Sequence, residues 1–217
     1  MKGQRALTLV ELLLTVSTVL LLATLAMSGA GRVRDKARAV PCLSNLRQWG
    51  AATMVYAGDH QGWLPKDGAP NGTSVDEGWY NDLPAAIGLP PYHRMPWRKD
   101  PKIDPGRSLW ICPSNPRRSN GTNLFHYCLN EHVNGTGNYN RPVPLSSLPR
   151  PVLTVWLFDN GKLAAVAQQN NVHNNLHNHG AQLLFLDGHA RRFDRWEIWD
   201  SKHQCGRTNN PEIVWIP

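Results

Sequence analysis

Residues 1–29 read MKGQRALTLVELLLTVSTVLLLATLAMSG. Between residues 7 and 30 the only ionisable side chain is Glu11. An α-helix rises about 1.5 Å per residue, so roughly 20 apolar residues cross a hydrocarbon layer of about 30 Å. On that arithmetic residues 7–31 are expected to form a transmembrane helix. The acid needs a reason, because a carboxylate in lipid costs about 2.5–3.5 kcal/mol on insertion scales. A secretory signal peptide has a shorter apolar region of about 7–15 residues and a small-residue cleavage site, which Ala26, Ser28 and Ala30 only imitate. A plain membrane anchor leaves Glu11 unexplained.

The stretch Ala6-Leu7-Thr8-Leu9-Val10-Glu11-Leu12-Leu13 closely resembles the N-terminus of type IV prepilins and type II secretion pseudopilins. The resemblance implies a leader at residues 1–6, with Lys2 and Arg5 holding it in the cytoplasm. It implies cleavage by a prepilin peptidase after Ala6 and a mature, often methylated, N-terminus at Leu7. Glu11 then falls fifth in the mature chain. Ala6 stands where the family usually has Gly, and Leu7 where it usually has Phe. In the family this acid pairs with the terminal amine of a neighbouring subunit, an assembly contact that an apolar environment enforces. Charge counting alone favours the opposite orientation, because Arg32, Arg34, Lys36 and Arg38 follow the run. The motif is given precedence.

Working outward, apolar residues recur every three or four positions from Val33 to Ala57, which predicts an amphipathic helical continuation over residues 32–58. Pro41 lies inside it and predicts a kink or break near residues 37–41. Cys42-Leu43-Ser44-Asn45-Leu46-Arg47-Gln48-Trp49-Gly50 is similar to a Cys-x-x-Asn-Leu-x-Gln-x-Gly pattern of a planctomycete- and verrucomicrobia-type branch of the prepilin family. Residues 59–217 are expected to form a globular α+β head. It opens with long loops over 59–107 and a short helix near residues 80–87. Strands are expected at 109–112, resembling the family's Phe-x-Cys-Pro element, at 125–130 and at 152–158. Asn160-Gly161 predicts a hairpin to residues 163–166, and Asp187-Gly188 a second hairpin with a type I′ turn. Three Asn-Gly-Thr triplets, at Asn71, Asn120 and Asn134, fit a glycosylation acceptor but are read as turns.

His177, nine intervening residues, then Asp187-Gly188 match the H-X9-DG processing-associated motif that this branch carries near its C-terminus. The same stretch offers His177, His179, Asp187 and His189 as weak candidate metal ligands. The turn alone accounts for Asp187-Gly188, so a hairpin with hydrogen-bonded histidines is preferred and no cofactor is expected. No nucleophile elbow accompanies the histidines, so catalysis is not expected. Nine tryptophans could present polysaccharide-binding faces, but are read as core.

Of the 217 residues 41% are hydrophobic and 18% charged, with 17 prolines and 18 glycines, a turn-rich globular composition. The net charge of +7 is scattered, apart from the basic cluster at 32–38, and does not point to nucleic acid. Cys42, Cys112, Cys128 and Cys205 form no C-x-x-C pair; they are disulfide candidates with three possible complete pairings. The combined expectation is a pilin-like α+β fold: a long N-terminal membrane-spanning helix packed on a C-terminal antiparallel β-sheet head. The expected function is a filament subunit, in the inner membrane as a single-pass protein with a periplasmic head, later in a periplasmic or cell-surface filament. Its expected partners are the peptidase, other pilin subunits and the membrane. The alternative is a membrane-anchored extracytoplasmic polysaccharide- or metal-binding protein.

Overall fold

The computed structural model describes residues 8–133 and 141–217, and for residues 25–35 the backbone alone. The leader, the cleavage pair Ala6 and Leu7, and the Asn134 triplet lie outside the described residues. The chain divides into two compact units, Met1–Ala37 and Arg38–Pro217.

Helix α1 spans Leu9–Asp59. It starts with a reciprocal cap: the Thr8 backbone N–H and hydroxyl both donate to Glu11 Oε2, and the Glu11 N–H donates back to Thr8 Oγ1. The hydroxyls of Thr15, Ser17, Thr18 and Thr24 donate to carbonyls one turn back, which hides their polarity within the helix. The helix runs on through Pro41, so of the expected kink or break the break is absent. It ends where Gln61 (φ 56°) and Gly62 (φ 83°) turn left-handed and the Gly62 N–H bonds the Ala57 carbonyl.

Two parts of the expected fold are corrected. Among the described residues no helix is long and apolar enough to cross a membrane. The apolar stretch whose side chains are described, residues 9–24, falls short of a membrane's thickness and carries Glu11 and four hydroxyl side chains. The sheet, moreover, is mixed rather than antiparallel. Its strands are β1 (Tyr127–Asn130), β2 (Val155–Asp159), β3 (Val166–Ala167), β4 (Gly180–Phe185) and β5 (Ala190–Asp194), in the order β3-β1-β2-β4-β5. The β1–β3 pair is parallel and the others antiparallel.

The expected Asn160-Gly161 hairpin fails for a topological reason. Strand β2 is central, with β1 on one edge and β4 on the other, so no edge is left for the next segment. Asn160 instead makes a local turn. Its Oδ1 accepts the N–H groups of Lys162 and Leu163, and its Nδ2 donates to the carbonyls of Phe125 and Ala164. The chain then crosses β1 and pairs on its outer edge, where Leu129 N–H bonds Ala165 O. The Asp187-Gly188 hairpin forms, but its turn is not type I′. Only Gly188 (φ 89°) is left-handed; its N–H bonds Phe185 O, and Phe185 N–H bonds His189 O. This is a three-residue loop closed by a glycine bulge. Residues 109–112 are a turn at 109–110 and irregular backbone at 111–112 rather than a strand. The short helix is present as α2 (Trp79–Ala86).

Both sheet faces are covered, so the strands read as continuously buried runs. On one side Cys42, Leu46, Trp49 and Ala52 of α1 meet Tyr127, Leu129, Trp156, Leu157 and Leu184. The other face carries Cys128, Phe158, Phe185, Phe193, Ile213 and Trp215. Trp156 and Leu157 share a face because the register shifts between Val155 and Leu157, a bulge that turns two successive side chains inward. Trp79, Tyr80, Tyr92, Trp97, Trp110 and Phe125 extend the first cluster with edge-on and stacked rings, each burying on the order of 1.5–3 kcal/mol of transfer free energy. Small elements close the C-terminal end: α3 (Arg195–Ile198) and the two-stranded β6 (Trp199–Asp200) with β7 (Cys205–Gly206).

Candidate functional site

The two motifs singled out in the sequence meet in space. Gly50 of α1 lies against the Asp187-Gly188 turn. A Cβ at Gly50 would sit 2.7 Å from Gly188 O and 2.9 Å from Leu184 Cδ1, so no side chain fits there. Further along the same helix, Asn45 Nδ2 donates to the carbonyls of Ser108 (3.2 Å) and Ile111 (2.9 Å), and Trp49 Nε1 donates to Leu109 O (3.1 Å). These bonds carry the 108–112 turns, which have no sheet partners of their own. Cys42 and Cys112 form a disulfide at the same seam. Gln182 Nε2, from β4, donates to Ala39 O (2.9 Å) and fixes the sheet to the helix.

His177 lies beneath the disulfide. Its Nε2 is 3.1 Å from Asp159 Oδ2 and 3.6 Å from Cys112 Sγ, and the side chains of His177 and Asp159 are both fully buried. Asp159 Oδ2 also accepts the Gln182 N–H (2.7 Å), and its main-chain carbonyl accepts the His173 N–H (2.9 Å). Asp159 Oδ1 and His177 Nδ1 have no hydrogen-bond partner among the described residues. The His177 carbonyl accepts Arg192 Nε (2.7 Å), so the first residue of the motif is pinned from main chain and side chain alike.

A second buried histidine supports the seam from the other side. The Cys112 N–H donates to His126 Nδ1 (3.1 Å), and His126 Nε2 donates to Arg117 O (3.1 Å). An Nδ1 that accepts a bond must be unprotonated, so the ring is neutral. Burial, the largest cause, pushes its pKa down to about 4. Between about pH 6.5 and pH 4 the unfolded chain binds a proton that the folded chain does not. Stability therefore falls as pH drops through that window, by about 3 kcal/mol in total. The imidazole signals of His126 are expected to titrate near pH 4 in the folded protein, and a midpoint near 6.5 would contradict this.

The four weak metal candidates are not brought together. His177 faces inward. His179 is exposed, with Nδ1 2.7 Å from Asn175 Oδ1; Asp187 and His189 lie at the surface turn and are bonded to each other at 2.6 Å. Asp187 Oδ1 accepts the His189 N–H and orders the turn. The metal-capable group among the described residues is a different one. The donor atoms of Cys42, Cys112 and His177 all lie within 4.8 Å of one another. In the oxidised state both sulfurs are bonded, so neither is a thiolate. Cys128 is buried on the opposite sheet face and Cys205 is half-buried; both are free cysteines. Of the tryptophans, Trp63 and Trp196 are exposed, while six lie in the core, which removes most of the aromatic surface that a polysaccharide would use.

Sequence reasoning missed Asp159, Gln182 and His126. In the sequence Asp159 looks like the lead-in to the Asn160-Gly161 turn, whereas it closes a strand with its carboxyl turned into the core. Its signal is an acid ending a continuously apolar run with no basic residue beside it in the chain.

At the start of α1 the side chains of Leu9, Val10, Leu12, Leu13, Leu14, Val16 and Val19–Leu22 are each at least 50% exposed. Glu11 is exposed and held by the Thr8 cap. No family model, curated protein or solved structure matches the chain.

Proposed function

We propose that the chain is a pilin- or pseudopilin-like structural subunit. It is cleaved after Ala6 by a prepilin peptidase and assembles through the N-terminal stretch of α1 into a type II secretion-like or type IV pilus-like filament. The observation that carries the proposal is the exposed apolar surface of residues 9–22. Apolar side chains point out on every side, and a helix of that kind needs a surrounding partner. Identical helices of neighbouring subunits supply one. The interlock of Gly50 with Gly188 supports the same reading, because through it the two resembling motifs jointly hold the head on its helix. In this reading the head is periplasmic, an oxidising compartment in which the Cys42–Cys112 bond forms, so the reduced seam belongs to the chain before oxidation or under a dithiol reductant.

Within such a bundle Glu11 exchanges its local cap for the cleaved amine of a neighbour's Leu7. Glu11→Ala tests this. Loss of the cap weakens only the exposed first turn of the helix, which leaves the head folded. Filament yield is expected to collapse while the level of folded, processed subunit stays near wild type. Wild-type filament yield from Glu11→Ala would sink the proposed contact.

A further inference from the structure

We propose that Cys42, Cys112 and His177 form a reduced-state site that holds one Zn2+, so the seam between α1 and the sheet exists either as a disulfide or as a zinc dithiolate. Tetrahedral zinc with Zn–S near 2.3 Å and Zn–N near 2.0–2.1 Å sets its sulfur and nitrogen donors about 3.6 Å apart, and its nitrogen and oxygen donors about 3.3 Å apart. His177 Nε2 is 3.6 Å from Cys112 Sγ, the length of a sulfur–nitrogen edge of such a tetrahedron. Cys42 supplies a third vertex, since its sulfur belongs to the same cluster within 4.8 Å, and the fourth is left to a solvent oxygen.

A second observation is electrostatic. The Asp159 side chain, whose Oδ2 is 3.1 Å from His177 Nε2, is fully buried, and its Oδ1 has no hydrogen-bond partner among the described residues, so a cation held nearby offsets part of the cost of burying it. The ligands already have outer support: the His177 carbonyl accepts Arg192 Nε, and the Cys112 main chain is held by His126. Two thiolates and a neutral imidazole are a donor set that suits zinc over calcium or magnesium.

The redox step balances. A dithiol reductant gives two electrons and two protons to the Cys42–Cys112 bond and is itself oxidised to a disulfide. The S–S bond breaks and two thiols form. Zinc binding then replaces both S–H protons, which pass to solvent. The two states exclude each other, because sulfurs bonded to one another cannot both act as thiolate ligands.

The test uses the full chain in two redox states, with Co2+ as a spectroscopic probe and Zn2+ as competitor. After phosphine reduction and a thiol count confirming that Cys42 and Cys112 are free, one equivalent of Co2+ is expected to give thiolate-to-cobalt charge-transfer and tetrahedral d–d absorption. Zn2+ should displace it and raise the thermal midpoint of the reduced chain only. The oxidised chain should give neither signal. His177→Ala is expected to weaken binding at least about tenfold. Because that variant also loosens the core, reduced Cys42→Ser provides a second reading and should lose tight binding. A Cys128→Ser/Cys205→Ser double variant should bind as wild type. Absence of charge transfer in the verified reduced chain, or equal affinity in Cys42→Ser, would overturn the site.

Discussion

Replacing Cys42 and Cys112 together by Ser is expected to lower the unfolding free energy by about 4 kcal/mol. The two cysteines are 70 residues apart in sequence. Cross-linking a loop of that length removes chain entropy from the unfolded state worth on the order of 4 kcal/mol. The loop includes the 108–112 turns, which belong to no sheet and rely on Asn45, Trp49 and the disulfide for their position. For a chain of this size the loss corresponds to a fall in melting temperature of roughly 10 °C. Urea unfolding of the double variant beside the wild type measures it. Reducing the wild type without added metal should reproduce most of the loss. A difference below about 1 kcal/mol would mean that the helix and the turns hold together without the bond.

Removing the imidazole of His177 is the second large effect. His177→Ala is expected to cost about 3–5 kcal/mol, in the range for breaking a fully buried polar pair by deleting one partner. The cost arises at Asp159. Its carboxylate would stay buried with the Gln182 N–H as its remaining side-chain bond, while Oδ1 already has none. Asp159→Asn should be milder, because a neutral amide is cheaper to bury than an unpaired carboxylate. The double variant should lose less than the sum of the two single ones, with a coupling of about 1–3 kcal/mol. Additive losses would show that the 3.1 Å contact carries no energy of its own. Unfolding free energies of the three variants decide between these outcomes.

How much of this was legible depended on whether the local signal had a local cause. The Asp187-Gly188 hairpin was readable because its turn chemistry is confined to a few neighbouring residues. Its turn type was not, since three-residue and two-residue loops use the same Asp-Gly pair. Asn160-Gly161 carries an equally strong hairpin signal, yet β2 had no free edge, and strand order cannot be read from a turn. Pro41 suggested a kink that the helix does not take as a break, because the surrounding turns are held by packing of Leu46 and Trp49 against the sheet. The membrane-length arithmetic counted apolar residues and gave too little weight to the hydroxyls and Glu11 that interrupt the described stretch. Of the site, His177 was legible as a motif residue but not as a buried one. Its link to Asp159 joins the end of one strand to the loop before another, and its link to Cys112 spans 65 positions. Contacts at such separations leave no periodic trace. The choice of Cys42 with Cys112 among three pairings was likewise beyond composition or spacing, and rests on α1 lying over the 108–112 turns.

The central claim is that residues 9–22 become the packed core of a filament once the leader is removed. Intact-protein mass spectrometry with N-terminal sequencing of the chain from its native cells tests it most directly. The predicted result is a mature chain beginning at Leu7, with or without an added methyl group on its amine. A chain that retains Met1, or one that begins after Ala30 and so lacks Glu11, would contradict the claim.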